Sequence, residues 1–270
     1  MSMLSRTTAW KAGLALLGGC CLAVVIVAGA SATAKTPPAV DHQLCYRAGG
    51  TFKVPTGIRL INQFSPNGFV PVINQSETFH CNPVVKTVPG GRVYLVTNPA
   101  AHLDCFGITP PVTQQTHKVL VQNQFGQAVL QTNQPNFLCV PSWTNPTGPP
   151  NKPVNTPPNL NHFTCYSVSV ISGAYKPPTT GMFLRDEFTT KNIPAKAGAV
   201  PRELCLPTEK IVGKKTYPII NATVHLLCFP GGPSSSHGHV VYDENQFGTA
   251  KVQIIRPQWL CLPSTKKVLK

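Results

Sequence analysis

His102-Leu103-Asp104-Cys105-Phe106 is one of four places where a histidine, two further residues, a cysteine and an aromatic residue follow one another. The other three are His42-Gln43-Leu44-Cys45-Tyr46, His162-Phe163-Thr164-Cys165-Tyr166 and His225-Leu226-Leu227-Cys228-Phe229. The cysteines of successive motifs are 60, 60 and 63 residues apart. Self-similarity at so regular a period indicates that the fold is built from four copies of one unit.

Two further landmarks follow in the same order in every copy. The first is a triplet that ends in phenylalanine: Asn62-Gln63-Phe64, Asn123-Gln124-Phe125, Asp186-Glu187-Phe188 and Asn245-Gln246-Phe247. The second is a cysteine followed by one residue and a proline, at Cys81, Cys139, Cys205 and Cys261. Three landmarks in one order, four times over, establish the repeat.

The triplets lie between short β-forming segments. Residues 119–121 (Val-Leu-Val) precede the second triplet and residues 128–130 (Ala-Val-Leu) follow it, a pattern typical of two strands joined by a turn. The 28 prolines and 21 glycines leave almost no uninterrupted stretch with a helical period. We therefore predict an all-β protein of sandwich or barrel-like architecture, built from disulfide-stapled copies.

The copies differ in ways that suggest how they are grouped. Copies one and three carry Cys-Tyr, whereas copies two and four carry Cys-Phe. The links from copy one to two and from three to four are compact, but residues 145–161 contain six prolines and favour an extended spacer. We predict two tandem domains of two copies each, at residues 36–147 and 159–270, joined by a proline-rich linker at residues 148–158.

Residues 1–34 are predicted to be a signal peptide rather than part of the fold. Arg6 and Lys11 precede an apolar run, and Ala32-Thr33-Ala34 fits a signal-peptidase site with Lys35 as the mature start. The run is long for a signal peptide, so an uncleaved membrane anchor is the alternative. The predicted location is outside the cell, either secreted or at the cell surface.

Export determines how the cysteines are interpreted. Two of the ten, Cys20 and Cys21, fall in the leader, which leaves eight in the mature chain and predicts disulfides. A unit that once existed alone would pair its own two cysteines, giving Cys45–Cys81, Cys105–Cys139, Cys165–Cys205 and Cys228–Cys261. The nested alternative pairs Cys81 with Cys105 and Cys45 with Cys139, and the sequence leaves it open.

No catalytic or metal site is predicted. A zinc site usually needs two close ligand pairs in one module, whereas each copy offers one His-x-x-Cys pair and a distant cysteine. The chain has nine carboxylates, and none forms a recognised catalytic motif. We therefore expect a protein that is not an enzyme and has no cofactor. A secreted hydrolase is the weaker alternative.

The excess of positive charge indicates the class of partner. The formal net charge is +14, and it becomes +12 when the two basic residues Arg6 and Lys11 of the leader are removed. Such a protein is attracted to anionic or glycan polymers at the cell surface. Nucleic acid is not expected because no nucleic-acid-binding motif is present, and membrane contact is expected only if the leader is uncleaved.

Two tryptophans are the candidate ligand contacts for a carbohydrate. Trp143 and Trp259 lie shortly after and shortly before the closing cysteine of copies two and four. The alternative is that both side chains pack beside that cysteine. The leading expectation is a non-catalytic extracellular structural or binding module of unknown ligand, and a carbohydrate- or anionic wall-polymer-binding protein is the second.

The landmarks resemble those of uncharacterised secreted bacterial proteins that carry His-x-x-Cys-aromatic, Gln-Phe-Gly and Leu-Cys-x-Pro-x-x-Lys motifs as a domain of unknown function. The resemblance covers residues from about 42 to 268 and implies no activity. Three departures stand out. Gln-Phe-Gly is complete only in copies two and four, and His80 replaces the leucine before Cys81. In copy two, Ser142-Trp143-Thr144 has no lysine equivalent to Lys86, Lys210 and Lys266.

Overall fold

β-strands are the regular elements of the structure, a computed structural model that describes residues 40–148, 160–189, 191–234 and 238–269. The predicted signal peptide at residues 1–34 lies outside the described residues, as do residues 149–158 of the predicted linker. The all-β prediction is confirmed. In the described ranges, no helix is long and apolar enough to cross a membrane.

The described residues form seventeen strands. They are β1 (Gln43–Gly49), β2 (Arg59–Asn62), β3 (Ser65–Phe69), β4 (Val72–Pro83), β5 (Val85–Thr87), β6 (Val93–Tyr94), β7 (His102–Thr109), β8 (Lys118–Asn123), β9 (Gly126–Asn145), β10 (His162–Tyr175), β11 (Phe183–Arg185), β12 (Ile193–Ala197), β13 (Glu203–Val212), β14 (Lys215–Tyr217), β15 (His225–Pro233), β16 (His239–Asn245) and β17 (Gly248–Val268).

Eight strands carry one mature-chain cysteine each, and they pair side by side in chain order. β1 pairs with β4, β4 with β7, β7 with β9 and β9 with β10. β10 pairs with β13, β13 with β15 and β15 with β17, which returns to pair with β1. All eight pairs are antiparallel. The strands therefore form a closed ring, and closure leaves no unpaired edge in it.

The four disulfides join neighbouring strands of this ring. They are Cys45–Cys81, Cys105–Cys139, Cys165–Cys205 and Cys228–Cys261. In each disulfide the two cysteines lie directly opposite one another in the antiparallel register. The within-copy pairing is confirmed, and it leaves none of these thiolates to act as a zinc ligand.

The sulfurs pack together in the interior of the ring. All eight cysteines belong to one buried cluster, together with apolar side chains such as Leu103, Phe163 and Leu226. The sulfurs of neighbouring disulfides approach to 3.7, 4.0 and 3.8 Å, in the pairs Cys45–Cys261, Cys81–Cys105 and Cys139–Cys165. The ring is thus filled by a layer of disulfides.

The larger core lies on the opposite face of the ring strands. Successive side chains of a strand point to opposite faces, so Leu44 and Tyr46 face away from the sulfurs that Cys45 joins. Both belong to a second buried cluster, which also contains the four triplet phenylalanines or packs against them. The turns and short strands of each copy therefore cover the outside of the ring.

These outer strands pair with the copy on the opposite side of the ring. Copies one and three exchange contacts through the pairs β2–β13 and β5–β11. Copies two and four do the same through β8–β17 and β9–β16. The outer strands of each copy therefore pair with strands of the copy on the opposite side of the ring.

The predicted tandem arrangement of two separate domains is not confirmed. The described residues form one compact unit, and the ring pairs β9–β10 and β17–β1 join the two halves of the chain. Similarity between copies shows that they share a local fold. It does not show which copies pair in space.

Candidate functional site

The repeated triplet forms the same turn in all four copies. In copy one, Oδ1 of Asn62 accepts a hydrogen bond of 2.9 Å from the backbone N–H of Phe64. Asn123, Asp186 and Asn245 accept the equivalent bond from the phenylalanines of their own triplets. A side-chain oxygen that accepts from the N–H two residues later stabilises a tight turn. This explains why an amide or a carboxylate begins each triplet.

Each turn places its phenylalanine against the aromatic residue that follows the first cysteine of the opposite copy. The four ring pairs are Phe64–Tyr166, Phe125–Phe229, Phe188–Tyr46 and Phe247–Phe106, each edge to face with centroids 5.3 Å apart. Edge-to-face packing is a preferred arrangement of aromatic rings because the positive ring edge meets the negative ring face.

The alternation of Cys-Tyr and Cys-Phe follows from this exchange. The hydroxyl of Tyr46 donates a hydrogen bond of 2.7 Å to Asp186 in the turn of copy three. The hydroxyl of Tyr166 donates one of 3.2 Å to Asn62 in the turn of copy one. Copies two and four use phenylalanine and make only the ring contact. The alternation therefore marks the copies that exchange turns rather than the copies that follow one another.

At three interfaces the triplet also contacts a histidine or a lysine of the preceding copy. The amide of Gln124 lies 2.5 Å from Nε2 of His42, and that of Gln246 lies 2.8 Å from Nε2 of His162. The lysine Nζ atoms lie 4.8–5.0 Å from the ring centres in the pairs Lys86–Phe125, Lys210–Phe247 and Lys266–Phe64.

Two of these lysines are unusual because they are fully buried. Neither Lys86 nor Lys210 has a hydrogen-bond partner for its Nζ. Each also lies over a tyrosine, Tyr94 and Tyr217 respectively. The ring faces attract an ammonium group, but its removal from water opposes the charge more strongly. Burial lowers the pKa of Lys86 to about 7 and that of Lys210 to about 6.

The interface between copies two and three departs from this plan. Thr144 stands where the other copies have lysine, and Asp186-Glu187 stands where they have two amides. Nδ1 of His102 lies 3.7 Å from Oε1 of Glu187, so a carboxylate replaces the glutamine beside the repeated histidine. Close to this interface, a group of buried ionisable side chains also departs from the repeat.

Glu77, His80, Asp104 and Asp243 form this group, which we call the ionisable cluster. Nδ1 of His80 lies 2.9 Å from Asp243, 3.3 Å from Asp104 and 3.7 Å from Glu77, measured to the nearest carboxylate oxygens. One ligand atom from each of the four residues lies within 4.8 Å of the others. All four side chains are buried. Such a set could hold a metal ion.

The cluster occupies positions that are mostly apolar in the other copies. His80 takes the place of Leu138, Leu204 and Leu260, each directly before the closing cysteine. Asp243 takes the place of Leu60, Val121 and Leu184, each two residues before the triplet. All six apolar counterparts are buried. At both positions, an ionisable side chain therefore replaces a residue that is apolar and buried in the other three copies.

The protonation of the cluster follows from its burial. Burial, and next the charge of Asp104, raises the pKa of Glu77 well above its usual value. Burial, and next the charge of Asp243, also raises the pKa of Asp104. Burial alone would lower the pKa of His80, but the neighbouring carboxylates raise it well above its usual value. In the absence of another cation, these shifts favour a protonated His80 and protonated carboxyl groups at Glu77 and Asp104.

A surface pocket of about 500 Å³ lies beside the cluster. Its lining includes His102, Asp186, Glu187 and Arg185. His102 and His80 have nearly parallel rings with centroids 5.8 Å apart, and both place a nitrogen within 4.8 Å of a carboxylate oxygen of Glu187. His102 and Glu187 thus line the pocket and also lie close to His80 of the ionisable cluster.

A protein-family comparison agrees with the repeat. The model of a repeat of unknown function, DUF7450, matches residues 102–263. The chain belongs to this family. The match begins at His102, the first residue of copy two, and ends at Pro263 in copy four, so both ends of the matched region fall on landmarks of the repeat. No curated protein and no solved structure matches the chain.

The structure places the two candidate tryptophans differently. Trp259 packs against Phe79 and Phe137, with centroids 4.1 and 5.5 Å away, and helps to line the disulfide interior. Trp143 is half-buried on β9, opposite Glu244 on β16. The contacts of Trp259 therefore fit the alternative in which its side chain packs beside the closing cysteine.

Sequence reasoning did not predict the ionisable cluster. Its members come from copies one, two and four, so no single motif contains all four of them. A signal was nevertheless present, because aligning the four copies shows His80 and Asp243 at positions that are apolar in the other three. The substitution of His80 for leucine is visible in the sequence, but its partners Asp104 and Asp243 come from other copies and depend on how the copies pack.

Proposed function

We propose that the chain is a non-catalytic extracellular module that binds an anionic polymer through its surface charge. The observation that carries this proposal is the separation of the two kinds of charge. Eight of the nine carboxylate residues are buried or half-buried, and Glu187 is the exposed one.

The basic residues are distributed in the opposite way. Fifteen lysines and arginines of the described ranges are exposed, namely Arg47, Lys53, Arg59, Arg92, Lys118, Lys176, Arg185, Lys191, Lys196, Arg202, Lys214, Lys215, Lys251, Arg256 and Lys267. The net charge of the sequence therefore understates the positive potential that a partner meets at the surface. A surface of one sign attracts polymers of the opposite sign and speeds their association.

One strand pair shows this charge in a specific arrangement. Arg47 on β1 lies directly opposite Arg256 on β17, and both are exposed. Like charges directly opposite one another on a sheet are destabilising. An anionic group bound between the two guanidinium groups would relieve the repulsion, and guanidinium is well suited to bind phosphate or carboxylate.

Extracellular placement is supported by the disulfides. Four disulfides in one chain indicate an oxidising compartment. Inside the closed ring they also provide the stability that a protein needs outside the cell. Binding through charge is better supported than the stacking of a sugar on a tryptophan, because Trp259 already packs against other side chains of the protein.

Binding to immobilised polymers tests the proposal. We expect the chain from Lys35 onward to bind polyphosphate-type and polyuronate polymers but not neutral glucans, and to lose at least about tenfold in affinity between about 0.05 M and about 0.5 M salt. Replacing Arg47 and Arg256 together by glutamine should weaken binding. Lys210→Met, which removes a buried amine and leaves the exposed basic residues in place, is the control and should bind normally.

Two results would contradict the proposal. Failure to bind any polyanion at low salt would leave a structural module. Salt-insensitive binding to neutral glycans, lost on replacement of Trp143, would support the carbohydrate-binding alternative instead.

A further inference from the structure

The carboxylates of the ionisable cluster outnumber the protons that His80 can donate to them. Three carboxylates approach Nδ1 of His80, and one N–H donates a good hydrogen bond to only one acceptor. Both oxygens of the fully buried Glu77 are without a hydrogen-bond partner. A buried carboxylate without a partner is strongly unfavourable. The cluster therefore requires a further cation or extra protons.

The orientation of His80 indicates which of its nitrogens carries a proton. The amide Nδ2 of Asn82 donates to Oδ2 of Asp186 at 3.4 Å, so the Oδ1 of Asn82 is the atom that faces His80. That oxygen lies 2.6 Å from Nε2 of His80 and must accept a hydrogen bond from it. A neutral His80 then presents the lone pair of Nδ1 to the carboxylates. This is how a metal-ligating histidine is usually held, with its other N–H bonded to an oxygen.

We infer that the ionisable cluster binds a divalent transition-metal ion through Nδ1 of His80 and carboxylate oxygens of Glu77, Asp104 and Asp243. The distances of 2.9–3.7 Å from Nδ1 to the three carboxylates are close to the spacing between neighbouring ligands of such an ion, about 2.8–3.6 Å for metal–ligand bonds near 2.0–2.2 Å. The ion would offset the buried negative charge without protonation of the carboxyls.

The donor set selects a class of metal. Carboxylates suit Mg²⁺, Ca²⁺ and Mn²⁺, whereas imidazole suits Zn²⁺ and other late first-row ions. Three carboxylates with one imidazole therefore favour Zn²⁺ or Mn²⁺ over the purely oxygen-seeking Ca²⁺ and Mg²⁺. The outer partners are also in place for one ligand. Asp104 accepts hydrogen bonds from Ser142 at 2.8 Å and from Asn245 at 2.6 Å, which fix its orientation.

The pocket beside the cluster provides an approach for the ion. Asp186, Glu187 and His102 line the pocket, and a nitrogen of His80 and one of His102 each lie within 4.8 Å of a carboxylate oxygen of Glu187. The two carboxylates attract a cation near the surface, and Arg185 in the same lining opposes this attraction. Once bound, the ion would tie β4, β7 and β16 together, at the interface where Thr144 replaces the repeated lysine. The inference is independent of polymer binding.

Metal content and metal-dependent stability test the inference. The chain from Lys35 onward is refolded oxidatively with Zn²⁺ or Mn²⁺, freed of excess ion and analysed by plasma mass spectrometry. We expect about one ion per chain, and a lower melting temperature after removal of the ion by a chelator. Ca²⁺ and Mg²⁺ should bind at least about tenfold more weakly because neither favours the imidazole donor.

Variants identify the site. Asp243→Asn and Glu77→Gln should each lower the affinity for the ion by about tenfold or more. Glu203→Gln is the matched control, because Glu203 is buried outside the cluster and accepts a hydrogen bond from Asn136. It should retain the ion. If the cluster variants do not fold, the native protein loaded with Mn²⁺ should show nitrogen hyperfine coupling from a histidine ligand in electron paramagnetic resonance.

Three results would overturn the inference. They are a folded native chain that binds neither Zn²⁺ nor Mn²⁺, an ion that both cluster variants retain at native affinity, and Mn²⁺ bound without any nitrogen ligand.

Discussion

Lys210 carries its amine in a fully buried position between Phe247 and Tyr217, where nothing accepts its hydrogen bonds. Lys210→Met removes the buried amine and keeps most of the volume. We expect this variant to be more stable than the native protein at neutral pH, by about 1–3 kcal/mol, because an unpartnered polar group no longer has to be buried. Loss of the contacts with the rings offsets part of the gain.

The gain in stability of Lys210→Met should depend on pH, because Lys210 titrates differently in the folded and the unfolded chain. Burial lowers the pKa of Lys210 from 10.5 to about 6. Between these values the unfolded chain binds a proton that the folded chain does not, so the native protein loses stability as the pH falls through this window. The advantage of Lys210→Met should therefore grow as the pH falls towards about 6 and stay constant below it. Urea unfolding measures it, with the exposed Lys251→Met as the control. An advantage that is the same at every pH would contradict the assigned cause.

Individual residues also show where sequence reasoning reached its limit. One copy considered alone favours the cysteine pairing that the structure has, although the sequence left the nested pairing open. The ionisable cluster was not predictable, because Glu77, Asp104 and Asp243 come together only when opposite and neighbouring copies are packed. The sequence of a single copy therefore cannot predict that these three residues meet.

Among the strands, the layer of disulfides makes a specific prediction about Cys228. Cys228→Ala leaves the Cys261 thiol free, and its Sγ lies 3.7 Å from Sγ of Cys45. Attack by the Cys261 thiolate on that sulfur forms a Cys45–Cys261 disulfide and releases the thiolate of Cys81. We expect the free thiol to be distributed between Cys261 and Cys81 at least. Alkylation followed by non-reducing peptide mapping would detect this.

The double variant is the control for this exchange. Replacing both Cys228 and Cys261 by alanine leaves no free thiol, so the other three disulfides should remain as they are. Its unfolding free energy should fall by about 2–5 kcal/mol, the usual effect of losing a disulfide in a secreted domain. A free thiol confined to Cys261 in the single variant would show that the ring holds its sulfurs too rigidly for exchange.

For the whole molecule, the repeat and the all-β class were evident from the sequence, whereas the grouping of the copies was not. The prolines at residues 145–161 and the alternation of Cys-Tyr with Cys-Phe both suggested two tandem domains. In the structure the alternation reflects contacts across the ring, as Tyr46 with Asp186 and Tyr166 with Asn62 show. A linear pattern cannot distinguish a pair of copies that are neighbours in sequence from a pair that are opposite in space.

The halves of the chain therefore provide the decisive test of the architecture. Fragments 36–147 and 157–270 would each lose two ring pairs, β1–β17 and β9–β10, and every exchange between opposite copies. In each fragment the turn phenylalanines would lose the aromatic residues on which they pack, and open strand edges would be exposed. We expect each fragment alone to be largely unfolded by circular dichroism and proton NMR. Oxidative refolding of an equimolar mixture should restore the dispersed spectrum of the full chain, because the strand pairs between the halves can re-form between the two fragments. A well-dispersed spectrum from either fragment by itself would instead establish that the halves are independent domains.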